Sequence, residues 1–131
     1  MTPRMNAIAA TGATLSCLGV GMGAFGAHGL ESLLEGAPEA VKRMGWWTTA
    51  GEYHLLHGVA LVAVGAVAGR RAGFLAPACC LVLGTVVFSG TLYAMALGAP
   101  TILGAVTPLG GLALMVGWAW LGLRFMRRSD V

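Results

Sequence analysis

Hydrophobic positions run along this chain in long unbroken stretches and do not alternate regularly with polar ones. No Asp, Glu, Lys or Arg occurs between Met5 and Leu30, or between Tyr53 and Gly69. A third stretch without these residues extends from Ala72 to Leu123. A helix needs about 20 apolar residues to cross the roughly 30 Å hydrocarbon core of a bilayer. The stretches therefore predict helices that cross a membrane.

The third stretch is too long for a single crossing. As one helix its 52 residues would reach about 78 Å at 1.5 Å per residue. We expect a break at Gly98-Ala99-Pro100, since proline disfavours helical geometry in the residue before it. Backbone groups in lipid must be satisfied internally, which favours helices throughout. The prediction is an all-α membrane four-helix bundle in one domain, 1–131, with spans near 7–27, 47–69, 73–97 and 102–123 and an interfacial loop at 30–45.

Composition and charge add an orientation to this architecture. Hydrophobic residues make up 57% of the chain and charged residues 10%, whereas soluble domains carry about 25% charged residues. The net charge of +3 is small, and no basic stripe indicates nucleic-acid binding. Six of the eight basic residues fall on one side of four spans: Arg4, Arg70, Arg71, Arg124, Arg127 and Arg128. This bias places both termini in the cytoplasm, and the compact loops suit a bacterial inner (plasma) membrane.

Small residues recur in the first two spans. The first apolar segment also has features of a signal peptide, but it is longer than a usual signal core, so we expect it to be retained. Small side chains at three- and four-residue spacing let membrane helices approach closely. The predicted packing positions are Gly12, Ser16, Gly19, Gly23, Gly65 and Gly69. The three cysteines, Cys17, Cys79 and Cys80, have no metal or disulfide spacing and are expected to be buried free thiols.

Polar residues from several spans share one depth in the predicted outer half. Ionisable side chains inside a membrane are costly and usually face the bundle interior. The candidate polar cluster or ligand site comprises His28, His54, His57, Ser89, Tyr93 and Thr107. We favour histidines that hydrogen-bond neighbouring helices. The alternative is a metal site, with His54 and His57 as ligands, or a haem or quinone site. Trp46, Trp47, Trp118 and Trp120 are candidate interface anchors.

Glu52 lies about 140–200° around its helix from His54 and His57, at 100° per residue. The three side chains therefore cannot all enter one small site. We expect the carboxylate at the membrane interface; the alternative is a buried carboxylate paired with Lys42, Arg43 or a histidine. Gly21-x-Gly23-x-x-Gly26 follows no strand, which excludes a dinucleotide fingerprint. No nucleophile and base have supporting sequence, so no enzyme activity is predicted.

Four ordered blocks resemble a known family. They are Gly23-Ala-Phe-Gly-Ala-His28-Gly-Leu30, Thr49-Ala-Gly-Glu-Tyr53-His54-Leu-Leu-His57, Phe88-Ser-Gly-Thr-Leu-Tyr93 and Thr107-Pro-Leu-Gly-Gly111. Together they resemble the small membrane proteins called domain of unknown function 423, which include the eukaryotic transmembrane protein 256. The resemblance covers most of the chain and implies four membrane spans, but no reaction. The chain departs from it at Glu52, where the family pattern leads us to expect Gln.

These observations lead to three functional hypotheses. The first is a non-enzymatic accessory, assembly or interaction subunit, whose partners are membrane lipid, other membrane proteins or a second copy, with no cofactor. The second is a protein with the histidine-lined metal, haem or quinone site described above. The third, a small transporter, ranks lowest because no charged or unwound element lies near the predicted bilayer centre.

Overall fold

The computed structural model describes residues 3–68 and 73–127, with side chains from residue 7 to 67 and from 73 onward. Helix α1 (Pro3–Phe25) continues through a π-helical turn (Gly26–Leu30) into the short α2 (Glu31–Leu34). Helices α3 (Ala40–Ala68), α4 (Leu75–Ala96) and α5 (Thr107–Met126) follow, with a 3₁₀ turn at Thr101–Ala105. Within these residues all regular structure is helical, and four helices are long and apolar enough to cross a membrane. The prediction of an all-α protein with four membrane-length helices is confirmed.

The segment predicted as the interfacial loop 30–45 is largely helical. It contains α2 and the first turns of α3, which begins at Ala40, seven residues before the predicted start of the second membrane span. Leu30, Leu34 and Trp47 are buried in one hydrophobic cluster with the end of α4. The early start of α3 therefore has a physical reason, because its first turns cover the end of α4 and carry Met44 against the same cluster. We call this end of the bundle the α2 end.

The break between the third and fourth spans lies where the sequence predicted it. Helix α4 ends at Ala96, and Gly98 has φ +103°. The amide of Gly98 donates to the carbonyl of Met95, and the amide of Ala99 donates to the carbonyl of Ala94. This pattern is a Schellman motif, in which glycine adopts the left-handed conformation that other residues avoid. The chain thus stops α4 by satisfying its last carbonyls and turns into the 3₁₀ segment before α5.

The four long helices pack in the order of the sequence. Helix α1 packs on α3, α3 on α4, and α4 on α5. In the described ranges α1 and α5 make no substantial contact, so the arrangement is not a closed square. Helices α3 and α4 are consequently the inner pair, and α1 and α5 each leave a wide face exposed.

Glycine brings the backbones of α1 and α3 together. A Cβ atom on Gly12 would lie 2.6 Å from the amide nitrogen of Val62 and 2.7 Å from the carbonyl oxygen of Gly58. A Cβ atom on Gly65 would lie 2.7 Å from the amide nitrogen of Ala9. These contacts are between main chains, so each position requires glycine for the helices to approach this closely.

The other predicted packing positions differ in their roles. Ser16 lies against Gly58, and Gly19 packs beside Leu55. A Cβ atom on Gly23 would meet nothing within 4 Å, so Gly23 does not contribute to this contact. Gly69 lies outside the described residues. A second close contact, between α4 and α5, was not predicted from the sequence, and its glycines are Gly84, Gly110 and Gly117.

The cysteines are free, as predicted, but the expectation that they are buried is wrong. Cys17 and Cys79 are exposed on the surface of the bundle, and Cys80 is half-buried. Lipid solvates small apolar side chains as well as the protein interior does, so nothing drives these thiols inward. The three thiols are all unpaired.

Candidate functional site

Aromatic residues hold the end of α1 against α3 and α4. The indole of Trp47 is buried, and its Nε1–H donates to the carbonyl of Met22 at 2.9 Å. Its ring also packs at 5.3 Å from the Phe25 ring and at 4.5 Å from the Tyr93 ring, measured between centroids. A Cβ atom on Gly26 would lie 2.5 Å from Nε1 of Trp47. The π-helical turn therefore begins at a glycine because the indole occupies the space of a side chain there.

His54 pairs with Tyr93 in the interior. The imidazole is 8% exposed, and its Nδ1 lies 3.3 Å from the Tyr93 hydroxyl. The ring also lies beside the backbone of Leu15 in α1. Its Nε2 nevertheless makes no hydrogen bond of acceptable geometry with any described residue. His54 thus joins α3 to α4 through one nitrogen and leaves the other buried and unsatisfied.

His57 is satisfied on both sides of its ring. Its Nδ1 lies 2.7 Å from the backbone carbonyl of Tyr53, and its Nε2 lies 3.1 Å from Nε1 of Trp118 on α5. A carbonyl only accepts and an indole only donates. These partners assign the neutral Nδ1–H tautomer, with Nε2 accepting from the indole. His57 is a polar link between α3 and α5, and Trp118, expected as an interface anchor, is its donor.

The hydroxyl groups of α4 separate into bonded and unbonded ones. Thr91 and Thr107 join their side-chain oxygens at 2.8 Å, which ties α4 to the start of α5. Ser89 is 2% exposed, and its Oγ has no partner among the described residues. Ser89 lies one helical turn before Tyr93, on the same face of α4. The buried polar groups without partners, His54 Nε2 and Ser89 Oγ, therefore belong to adjacent turns of the α3–α4 contact.

His28 lies in different surroundings from the other two histidines. It is exposed in the π-helical turn and lines a cavity of about 860 Å³ at the α2 end, together with Glu31 and Glu35. Across the described ranges, no three His, Cys, Asp or Glu side chains are close enough to hold one metal ion. The six predicted residues thus have different partners: His54 pairs with Tyr93, Thr107 with Thr91 and His57 with Trp118. Ser89 lies one turn from Tyr93 without a partner in the described residues, and only His28 lies elsewhere, at the α2 end.

Glu52 lies on the surface of α3. Its side chain is exposed and forms no ion pair or hydrogen bond with the residues described. Lys42 pairs with Glu39 at 2.9 Å, and Nε of Arg43 donates to the carbonyl of Ala96 at 2.8 Å. Neither cation contacts Glu52, so the alternative of a buried carboxylate paired with one of them does not describe this structure. Arg43 instead satisfies the negative end of α4.

Comparisons with known proteins agree with the resemblance found in the sequence. A family described as "Protein of unknown function (DUF423)" matches residues 22–111. A UPF0382 membrane protein of Staphylococcus haemolyticus is 43% identical over 84% of this chain and 87% of its own length. The UPF0382 membrane protein YwdK of Bacillus subtilis is 39% identical over 82% of this chain and 85% of its own length. The UPF0382 inner membrane protein YgdD of Escherichia coli is 41% identical over 76% of this chain and 74% of its own length.

No solved structure matches the chain. The family match spans all four blocks, from the π-helical turn that carries His28 to the start of α5. The relatives are named membrane proteins. The chain is therefore a membrane protein with four apolar helices that belongs to the uncharacterised DUF423 family.

Proposed function

We propose that this protein is a non-enzymatic subunit of the inner membrane that acts by packing against other membrane proteins. The observation that carries the proposal is a set of glycines on the outside of the long helices. A Cβ atom would meet nothing within 4 Å at Gly21, Gly23, Gly90 or Gly122. Glycine weakens a helix by roughly 0.5–1 kcal/mol relative to alanine. Glycines that no helix of this chain uses are well suited to contact a helix of another protein.

The interior polar groups support the same proposal. His57 uses both ring nitrogens to join elements of the bundle, and Thr91 and Thr107 join each other. Interhelical hydrogen bonds of this kind stabilise a membrane bundle by about 0.6–2 kcal/mol each. Most of the residues that sequence reasoning singled out for chemistry thus have a structural use.

Copurification tests the proposal directly. The protein would be extracted from native membranes in a mild detergent and examined by native mass spectrometry and light scattering. We expect a complex with a distinct stoichiometry. Leucine at Gly23 should reduce its yield, because the new side chain fills a surface that a partner helix would approach. A strictly monomeric protein with no recoverable partner would contradict the proposal.

The proposed orientation has both termini in the cytoplasm. It is supported by the exposed Arg124 and Arg127 at the end of α5, because basic residues are retained on the cytoplasmic side. The inner membrane is supported by the name of the Escherichia coli relative. In a background without native cysteines, a cysteine at Glu35 should react with an impermeant reagent added outside, and one at Ser129 should not. External labelling of Ser129 would reverse the orientation or change the number of spans.

A second candidate function rests on His54. Its Nε2 and the Oγ of Ser89 are buried and unpartnered, and a buried polar group without a partner is costly. A small ligand with a hydrogen-bonding oxygen, such as a quinone, would satisfy one or both. Purified wild type should then carry a quinone or another ligand that His54→Ala loses while remaining folded. Metal analysis and an absorbance spectrum of both proteins extend the test to metal and haem; identical, ligand-free preparations would refute this candidate.

A further inference from the structure

Glu52 belongs to an exposed stripe along α3. Glu52, Leu56 and Val59 follow one another at four- and three-residue spacing, which places them on one face of the helix. Leu56 is 62% exposed and Val59 is 56% exposed, whereas His54 and Leu61 are buried on the opposite side. The stripe therefore faces outward from the bundle, with a carboxylate at one end and apolar side chains along the rest.

The length of α3 is consistent with a carboxylate just inside the membrane. Helix α3 has 29 residues and extends about 43 Å at 1.5 Å per residue. The hydrocarbon core is only about 30 Å thick and takes about 20 residues. If Ala68 marks one surface of the core, the other surface crosses α3 near Thr48. Glu52 then lies four residues, or roughly 6 Å, below that surface, where a charge with no partner is costly.

Helix α1 supplies a second wall beside this stripe. Gly19 packs against Leu55, so the residues after Gly19 continue along α3 at the depth of Glu52. Val20 lies about 140° around α1 from Leu15, the residue whose backbone lies beside His54. It therefore points away from α4, as Glu52 does. Val20 is 62% exposed, and Gly23, one turn farther along, has open space where a side chain would be.

We propose that Val20, Gly23 and Glu52 form a docking surface for a transmembrane helix of another protein, one that carries Lys or Arg about one turn below the membrane surface. The absent side chain of Gly23 allows close approach, Val20 and Leu56 provide apolar contact, and the basic group neutralises the carboxylate. This inference rests on the proposed function and names the class of its partner. A basic residue at that depth is itself costly in lipid, so the two charges favour each other's presence.

Charge distinguishes this occupant from a second copy of the chain. The described basic side chains near the α2 end are already engaged, Lys42 with Glu39 and Arg43 with the carbonyl of Ala96. Arg124 and Arg127 lie at the opposite end of α5. His28 lies five residues beyond Gly23, roughly 8 Å nearer the surface. The amine of a phospholipid lies above the hydrocarbon core. Neither a second copy nor lipid therefore supplies a free basic group at the depth of the Glu52 carboxylate.

Site-specific photocrosslinking tests the proposal. A photoreactive phenylalanine derivative would replace Leu56 in the full chain, in native membranes. A control would carry the same group at Met115, which is 70% exposed on α5. We expect one protein adduct from the Leu56 probe. Glu52→Gln, which keeps the size of the side chain and removes its charge, should reduce the adduct about three- to thirtyfold, as expected for loss of one interhelical interaction.

The partner's own sequence gives a sharper criterion. Its crosslinked segment should contain Lys or Arg within about a turn of the corresponding depth. Glu52→Lys should abolish the adduct, and Glu at the partner's basic position should restore it. The thermal transition of Glu52→Gln in detergent should match that of wild type, which shows that a lost adduct does not reflect unfolding.

Several outcomes would overturn the inference. They are an adduct that Glu52→Gln does not change, a partner segment without a basic residue, an adduct with a second copy, and an adduct with lipid alone. A partner that is recovered by copurification or by the Met115 probe, but that forms no adduct with the Leu56 probe, would contradict this docking surface and leave the proposed function intact. A monomer that gives no protein adduct from either probe would remove both.

Discussion

The contact between α1 and α3 makes Gly12→Ala a severe test of the fold. A Cβ atom at this position would meet three backbone atoms: the amide nitrogen of Val62 at 2.6 Å, the carbonyl oxygen of Gly58 at 2.7 Å and the carbonyl carbon of Leu61 at 2.9 Å. All three are backbone atoms of α3, so the contact can be relieved only if the two helices move apart. The matched control is Gly21→Ala in the same helix, where the new methyl group would meet nothing within 4 Å.

The geometry gives the size of the expected effect. Ordinary contacts of a Cβ atom begin near 3.4 Å, so α1 must shift from α3 by about 0.8 Å to relieve the shortest one. A gap of roughly 0.5–1 Å already loses a quarter to a half of the dispersion attraction between facing atoms. Overpacking of this kind costs about 1–3 kcal/mol, whereas alanine strengthens the helix by only about 0.5–1 kcal/mol. We expect Gly12→Ala to lower the free energy of unfolding by about 1–2 kcal/mol, and Gly21→Ala to leave it unchanged or raise it.

The measurement is unfolding by SDS in mixed micelles, followed by far-ultraviolet circular dichroism of wild type and both variants. Both substitutions add one methyl group to the same helix, so differences in intrinsic helicity cancel in the comparison. If the Gly12→Ala variant proved as stable as the Gly21→Ala variant, that result would contradict the close approach of the α1 and α3 backbones.

Three other changes test the interior. Trp118→Phe removes the indole that donates to His57, so a double-mutant cycle with His57→Leu should show a coupling of about 0.6–2 kcal/mol; a coupling of zero would contradict the bond. Ser89→Ala removes a buried hydroxyl without a partner and should leave thermal stability unchanged or raise it, and a clear loss would reveal a partner for Ser89. Arg43→Gln takes the guanidinium from the carbonyl of Ala96 and should lower the free energy of unfolding by about 0.5–2 kcal/mol in detergent; no change would show that the contact is dispensable.

The number of long helices and the break between α4 and α5 could be predicted because each depends on a single strong physical effect. Charged residues are excluded from hydrocarbon, so uncharged stretches mark the spans. Gly98 and Pro100 mark the turn because few other residues stop a helix in lipid. The contacts that hold the turns of α3 before residue 47 against α4, such as that of Arg43 with Ala96, could not be predicted because no local pattern reveals them.

The candidate site was predictable in depth but not in detail. Counting residues placed His54, Ser89 and Thr91 at similar levels, yet depth does not tell which way a side chain points. Helix α4 is apolar on all sides, so its sequence carries no signal for its rotation. Ser89 and Thr91 are only two residues apart. Thr91 faces Thr107 and forms a hydrogen bond with it, whereas the buried hydroxyl of Ser89 has no partner among the described residues.

The hydrogen bond of Trp118 could not be predicted for a different reason. Tryptophan is common where membrane helices meet water, so position along the helix suggested an anchor. Its bond to His57 depends on how α5 lies against α3. A buried histidine nitrogen that needs a donor was the only sequence signal available, and several side chains could have met that need.

Because each long helix packs chiefly on the one before it, the bundle can be assembled in the order in which the chain is made. When α3 enters the membrane, its main partner α1 is already there, and the same holds for α4 and then α5. Of the later helices, α4 makes only a minor contact with α1, and α5 makes no substantial one in the described residues. The main loops that must be closed therefore stay short, and their entropic cost stays low. Each intermediate is a packed unit that lacks only its last neighbour. A chain interrupted after α4 should therefore already contain the α1–α3 and α3–α4 contacts, with only the face reserved for α5 open to lipid.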